Sequence, residues 1–114
     1  MIEQNSVEFF NNRLTYNFND LKNLSPSQKD QVRHYGSQAE ALLKNRDLAM
    51  FIHHFKFELA DDLIDSVGYT EESNNEKIAI ANQLKGIDKF INSLKRAVVL
   101  KNRVGNAEIA PETN

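Results

Sequence analysis

Apolar residues recur in two matched stripes, one on each side of the short break Gly68-Tyr69-Thr70. Beyond the break, Ile80, Leu84, Ile87, Ile91, Leu94 and Val98 are spaced alternately by four and three residues, which places them on one seam of a single helix. Before it, Leu48, Ile52, Phe55, Leu59 and Leu63 repeat the pattern, and Val67 closes the stripe. Two helices that each carry a narrow apolar face bury both by folding back on one another. The pattern therefore predicts an all-α protein built on a long antiparallel helical hairpin, with one additional helix packed across it and an irregular N-terminal arm.

Local signals set the boundaries. Ser25-Pro26-Ser27-Gln28 reads as a helix start: Ser25 can cap, Pro26 takes its favoured first-turn position and Gln28 can complete a capping box. The helix it opens is predicted over 26–44, with Val32, Tyr35, Ala39, Leu42 and neighbouring Leu43 on its inner face. Gly36 weakens that stripe by about 1 kcal/mol relative to alanine, and so marks either a kink or a close approach of another backbone. Asp47 is the expected cap of the next helix, over 47–67, with Gly68 ending it in a left-handed conformation. Thr70 is the expected cap of the last helix, whose first turn carries Glu71 and Glu72, and Gly105 its expected end. That helix would be roughly 50 Å long. The first arm of the hairpin covers it only to about Asn92, so 93–103 must be covered by the additional helix, by the arm or by another subunit.

The sequence divides into an arm over 1–24, a three-helix domain over 25–105 and a polar tail over 106–114 that is expected to be flexible. The arm is rich in asparagine, a residue that competes for backbone hydrogen bonds and sits poorly inside helices. A short helix is predicted near 6–13, followed by a brief strand-like alternation at Leu14, Tyr16 and Phe18.

At 114 residues and 13.1 kDa the chain is long enough for one modest core. It holds no cysteine, which removes disulfides, thiol nucleophiles and thiolate metal sites and suits an intracellular setting. No basic-then-apolar leader opens it, and no apolar run approaches membrane-spanning length, so neither a secretion signal nor a membrane partner is expected.

The net charge of -2 conceals an asymmetry. Acidic side chains crowd the first arm of the hairpin and its turn, whereas Lys85, Lys89, Lys95, Arg96, Lys101 and Arg103 dominate the second. The plain account is pairing across the hairpin and solvation. The sharper one is nucleic-acid binding, in which Lys95, Arg96, Lys101 and Arg103 follow a phosphate backbone. These cations do not all share one face, and a helix dipole alone favours several of them near its C-terminus.

Catalytic chemistry finds little footing. No serine lies in a Gly-x-Ser-x-Gly elbow, no glycine-rich phosphate loop is present, and the adjacent Asp61 and Asp62 point about 100° apart on a helix. His54, Glu58 and Asp62 share a helical face and form the one cluster of metal-ligand types, with His53 and Asp61 beside it. The facing helix offers only Glu76 and Asp88 as further ligands, so no metal, catalytic residue or cofactor is assigned. The expectation is a protein that is not an enzyme.

Aromatic residues give a better lead. Phe51, Phe57 and Phe90 flank the main seam and widen the apolar face beyond what two helices need, and Phe9, Phe10 and Phe18 stand in the arm. Either the arm and the additional helix fill this face, or these six residues form a self-association or partner surface.

The stretch Tyr35-Gly36-Ser37-Gln38-Ala39-Glu40-Ala41-Leu42-Leu43-Lys44-Asn45, followed by a hairpin whose second arm carries Leu84, Ile87, Leu94 and Val98, resembles small uncharacterised proteins of tailed bacteriophages encoded among virion structural and packaging genes. The shared pattern is Gly-x-x-Ala-x-x-Leu-Leu-x-Asn, then a helix, a short turn and a longer helix, and the resemblance covers about 35–105. It carries no catalytic residues to transfer. It implies a non-enzymatic part in particle assembly, located in the host cytoplasm or the virion, through contacts with phage structural proteins; the wide aromatic face is what points to a homo-oligomer. The asparagine-rich arm departs from that pattern. A small nucleic-acid-binding packaging or regulatory component is the alternative, and a host-directed inhibitor a third possibility.

Overall fold

The computed structural model of the chain describes residues 2–17, 19–66 and 68–109, and the side chains of these up to residue 106. The elements are α1 (Ser6–Asn11), a single 3-10 turn (Leu21–Asn23), α2 (Pro26–Leu43), α3 (Arg46–Asp65) and α4 (Glu71–Ile109). The all-α hairpin architecture with one additional helix and an irregular N-terminus is as the sequence indicates. Helix α4 is the spine, and both α2 and α3 run counter to it. Partner numbers fall along α4 as they rise along the other two: Gly36 meets Ala97 and Lys101, Lys56 meets Asp88, and Ser66 meets Glu76. The result is a rod 63 Å long and 35 by 28 Å across.

The caps explain why the chain breaks where it does. Ser25 Oγ accepts from the Gln28 amide at 3.2 Å while Gln28 Oε1 accepts from the Ser25 amide at 2.9 Å, the capping box expected of that motif. Two residues, Lys44 and Asn45, separate α2 from α3. Asn45, not Asp47, caps α3, its Oδ1 accepting from the Leu48 amide at 2.9 Å. Thr70 Oγ1 accepts from the Ser73 amide at 3.1 Å, as its position at the head of α4 predicts.

Two helix ends differ from the sequence reading. α3 stops at Asp65: Ser66, which is buried, leaves helical geometry at ψ 56° while its amide and its Oγ both donate to the Asp62 carbonyl, at 3.0 and 2.9 Å. Gly68 does take a positive φ of 140°, three residues after the helix ends, and Val67 lies outside the described residues. α4 runs through Gly105 to Ile109; a glycine ends a helix only where the chain must turn left-handed, and here it does not.

The core is uneven along the rod. Leu21, Val32, Ala39, Ala97, Leu100 and Val104 are buried where α2 and the 3-10 turn cross the C-terminal half of α4, with Val104 fully enclosed. Among the described residues the hairpin half buries two apolar side chains, Leu59 and Ile80, besides Ser66. Residues 93–103 are thus covered by α2. Its buried side is Val32, Gly36 and Ala39, with Leu43 half-buried, while Tyr35 and Leu42 face outward, one residue off the expected stripe. Gly36 sets this offset: a Cβ there would stand 2.4 Å from Lys101 Cβ and 2.7 Å from the Ala97 carbonyl oxygen.

No strand occurs among the described residues of the arm. Asparagine chemistry replaces it: Asn5 adopts a left-handed φ of 63°, Asn17 Oδ1 accepts from the Asn19 amide at 3.0 Å, and Asn23 Nδ2 donates to Asp20 at 2.6 Å. The arm is tied down by buried Leu21 and by Tyr16, whose hydroxyl donates to Gln31.

Candidate protein-interaction surface

α2 ends at Leu43, so the side of α4 that it covers further along is uncovered beside α3. The gap is an open groove of about 450 Å³ lined by Phe51, Ile52 and Phe55 from α3 and by Gln83, Gly86, Ile87 and Phe90 from α4. Gln83 is its single polar side chain, so the groove holds no acid, base or nucleophile. Phe51 is 67 % exposed, and Phe55 and Phe90 are nearly half exposed. Among the described residues, none of α1 or the arm lines this face.

The six aromatics predicted to form one surface occupy separate places. Phe51 and Phe90 share the groove, joined by Phe55, which the seven-residue periodicity assigns to the inner seam. Phe57 lies about 120° round α3 from Phe51, given 100° per residue, and stacks on His53 with ring centroids 6.5 Å apart. Phe9 borders a cleft of about 840 Å³ shared with Arg13, Tyr35, Arg96 and Leu100. Phe10 lies 3.7 Å under the Arg13 guanidinium, a cation-π contact within the arm. Phe18 lies outside the described residues.

The four cations singled out by sequence also divide. Lys95, Arg96 and Arg103 line one shallow groove of about 360 Å³ with Asn19, Asn92 and Val99. Lys101 is turned away: its stem packs on Gly36 and its Nζ donates to Glu40 Oε2 at 2.6 Å, which makes it a structural clamp between α4 and α2. Glu40 also accepts from Lys44 at 3.0 Å. The Lys101 hydrogen bond, then the Lys44 one and their charges, lower the Glu40 carboxyl from 4.5 to about 2. With Lys101 set apart, Lys85, Lys89, Arg96 and Arg103 fall within about 40° of one another round α4, a single row.

Pairing across the hairpin is nearly absent. Among the described residues one ion pair joins α3 to α4, Lys56 with Asp88 at 3.4 Å, and its signs are the reverse of the general asymmetry. At the hairpin turn Ser66 Oγ lies 3.1 Å from Glu76 Oε2, and Lys77 Nζ donates to the Gly68 carbonyl at 3.1 Å. Among the described residues no three His, Asp or Glu side chains converge to hold a metal ion, and no helix is long and apolar enough to cross a membrane.

In comparisons with protein-family models, curated proteins and solved structures, nothing matches this chain.

Proposed function

We propose that this chain is a non-enzymatic assembly protein of a tailed-phage particle or assembly intermediate, acting through protein-protein contacts and self-association in the host cytoplasm or the virion. The supporting observation is the groove, an aromatic-lined apolar face on a chain that is far from compact. Its accessible surface is 9108 Å², against about 6,400 Å² for a compact monomer of 13.1 kDa. Its radius of gyration is 19.4 Å, against about 13 Å for a compact domain of this length. A stable interface takes about 800 Å² from each subunit, well within that excess. The phage assignment rests on the resemblance over 35–105; the association rests on the exposed Phe51, Phe55 and Phe90.

Mass by light scattering after size exclusion, across protein concentration, tests it. The expected result is a defined oligomer that survives high salt and loses mass when Phe51 and Phe90 are changed to serine. A wild-type monomer at every concentration refutes it.

A second reading has one observation in its favour: the row Lys85, Lys89, Arg96 and Arg103 meets no carboxylate within ion-pair distance among the described residues. Such a row suits a phosphate backbone. Duplex binding with a steep salt dependence, lost on changing Arg96 and Arg103 to glutamate, is the result that would favour it.

A further inference from the structure

We propose that the cleft between α1, α2 and α4 binds single-stranded nucleic acid, with a base entering the cleft and the phosphates lying along Arg96 and Arg103. The site is separate from the aromatic groove and does not require self-association. It shares Arg96 and Arg103 with the duplex reading above and differs from it in using an aromatic cleft.

Two packed helices and one loosely held wall shape the site. Val32, Ala97 and Leu100 lie in its floor, and all three belong to the buried core, so the floor is preformed. The volume of about 840 Å³ falls within the ~300–1,000 Å³ usual for ligand pockets. The wall is α1, a helix of six residues that buries none of its side chains. Helices this short are marginal on their own, so α1 gains from whatever fills the space beside it. Phe9 reaches the cleft from α1 and is 70 % exposed, while Tyr35 reaches it from α2 and is 53 % exposed. Flat rings beside an apolar floor suit stacking on a base, a contact that accepts any base because each has a π-face. The amides of Asn12, Gln31 and Gln38 offer donors and acceptors for its edges.

Charge selects an anion. The chain holds 16 acidic residues against 14 Lys and Arg, yet the cleft is lined by Arg13 and Arg96 and by no carboxylate. Arg13 is already oriented: its guanidinium lies 3.7 Å over the Phe10 ring and its Nη1 donates to the Phe10 carbonyl at 2.5 Å. Neither arginine meets a carboxylate within ion-pair distance among the described residues. Arg96 and Leu100 also line the adjoining shallow groove, where Lys95 and Arg103 stand, again with no carboxylate in the lining. A path of cations therefore leads out of the cleft. Such a path beside exposed rings fits a polyanion that carries flat groups, which describes a single strand; in a duplex the base faces are stacked and out of reach of Phe9 and Tyr35. The acidic hairpin turn does not oppose it, since Glu72 is about 36 Å from Arg96 along α4, several times the ~8 Å screening length at physiological salt.

The test is fluorescence anisotropy of a labelled, mixed-sequence single strand of roughly ten nucleotides, beside the same sequence as a duplex, with a nucleoside monophosphate and poly-glutamate as competitors. The strand should bind at least about tenfold more tightly than the duplex, and its affinity should fall steeply as salt rises. Phe9→Ala and Tyr35→Ala should each weaken it at least about fivefold. Arg96→Glu with Arg103→Glu should weaken it at least about tenfold, and Lys85→Glu with Lys89→Glu, an equal change of charge outside both clefts, should weaken it less. All of the cleft positions changed are exposed, so helix circular dichroism should stay at the wild-type value. A duplex bound as tightly as the strand, with the ring variants unaffected, would leave only the phosphate row and overturn the proposal. Equal competition by poly-glutamate would reduce the site to charge, and equal competition by the monophosphate would confine the ligand to a free nucleotide. Either result overturns the strand, as does the absence of binding at low salt. None of these outcomes depends on the oligomer mass that tests the groove.

Discussion

Replacing Gly36 by alanine sets two effects of known sign against each other. Alanine is the better helix former by about 1 kcal/mol, partly through the smaller entropy of its unfolded chain, and on an open helix face that gain would be realised. At position 36 the new methyl would stand 2.4 Å from Lys101 Cβ and 2.7 Å from the Ala97 carbonyl oxygen. Carbon atoms rest about 3.5–4.0 Å apart, so the shortfall exceeds 1 Å. Neither contact atom can swing aside, since one is backbone and the other is fixed to it. Relief requires α2 to lift from α4, which would loosen the packing of Val32 with Leu100 and Val104. Overpacking of this kind costs about 1–3 kcal/mol, and after the propensity gain a net loss of about 1–2 kcal/mol remains.

For a chain of 114 residues that corresponds to a fall in melting temperature of about 4–8 °C. Helix circular dichroism during thermal and urea unfolding reads it, with Gly105→Ala as the internal control. A Cβ at Gly105 meets nothing within 4 Å, so that variant should gain up to about 1 kcal/mol. If Gly36→Ala melts at or above the wild type, the close crossing of α2 and α4 is wrong.

Three further outcomes follow from the same packing. The Glu40 carboxyl is held at about 2 by Lys101 and Lys44, so its contribution is present above its unfolded value of 4.5 and is lost as pH falls towards 2; Glu40→Gln should abolish that part of the acid dependence of the urea midpoint. Val104→Ala, at a fully enclosed site, should cost about 2–3 kcal/mol from lost transfer energy and a partly unfilled cavity, seen as a lower urea midpoint at unchanged slope. Asn45→Ala removes the bond to the Leu48 amide and should cost about 1 kcal/mol, with amide exchange quickening first in the opening turn of α3.

Much of the fold is written in local chemistry. The capping box at Ser25 and the Thr70 cap are each a short pattern with one favourable geometry, and the period of the stripes admits only helices. The face of α2 was less legible, because hydrophobicity ranks Tyr35 and Leu42 above glycine, whereas a tight crossing selects for the absence of a side chain at Gly36. Asn45 and Asp47 are both competent caps, and the choice between them turns on where α2 releases the chain. Part of the surface was legible by angle: six residues separate Phe57 from Phe51 by about 120°, and five separate Lys101 from Arg96 by about 140°, enough to place each pair on different faces. The groove itself was not, since it exists because α2 ends at Leu43 and leaves one side of α4 uncovered.

The uneven core and the exposed aromatics have one cause. α4 is 39 residues long, and the two helices that run back along it cover different sides of it. Where α2 lies, small residues at Gly36, Ala39 and Ala97 let two helices and the 3-10 turn close over Leu100 and Val104, giving six of the eight apolar side chains buried among the described residues. Where α3 lies, a two-helix ribbon has no third element, and a ribbon cannot enclose residues as large as Phe51, Phe55 and Phe90 from one side. Apolar surface of this kind contributes roughly 25 cal/mol for each Å² removed from water, so the half of the rod with least internal stabilisation is the half with most to gain from an external one. Covering the groove would give this half of the rod the third element that α2 supplies to the other half.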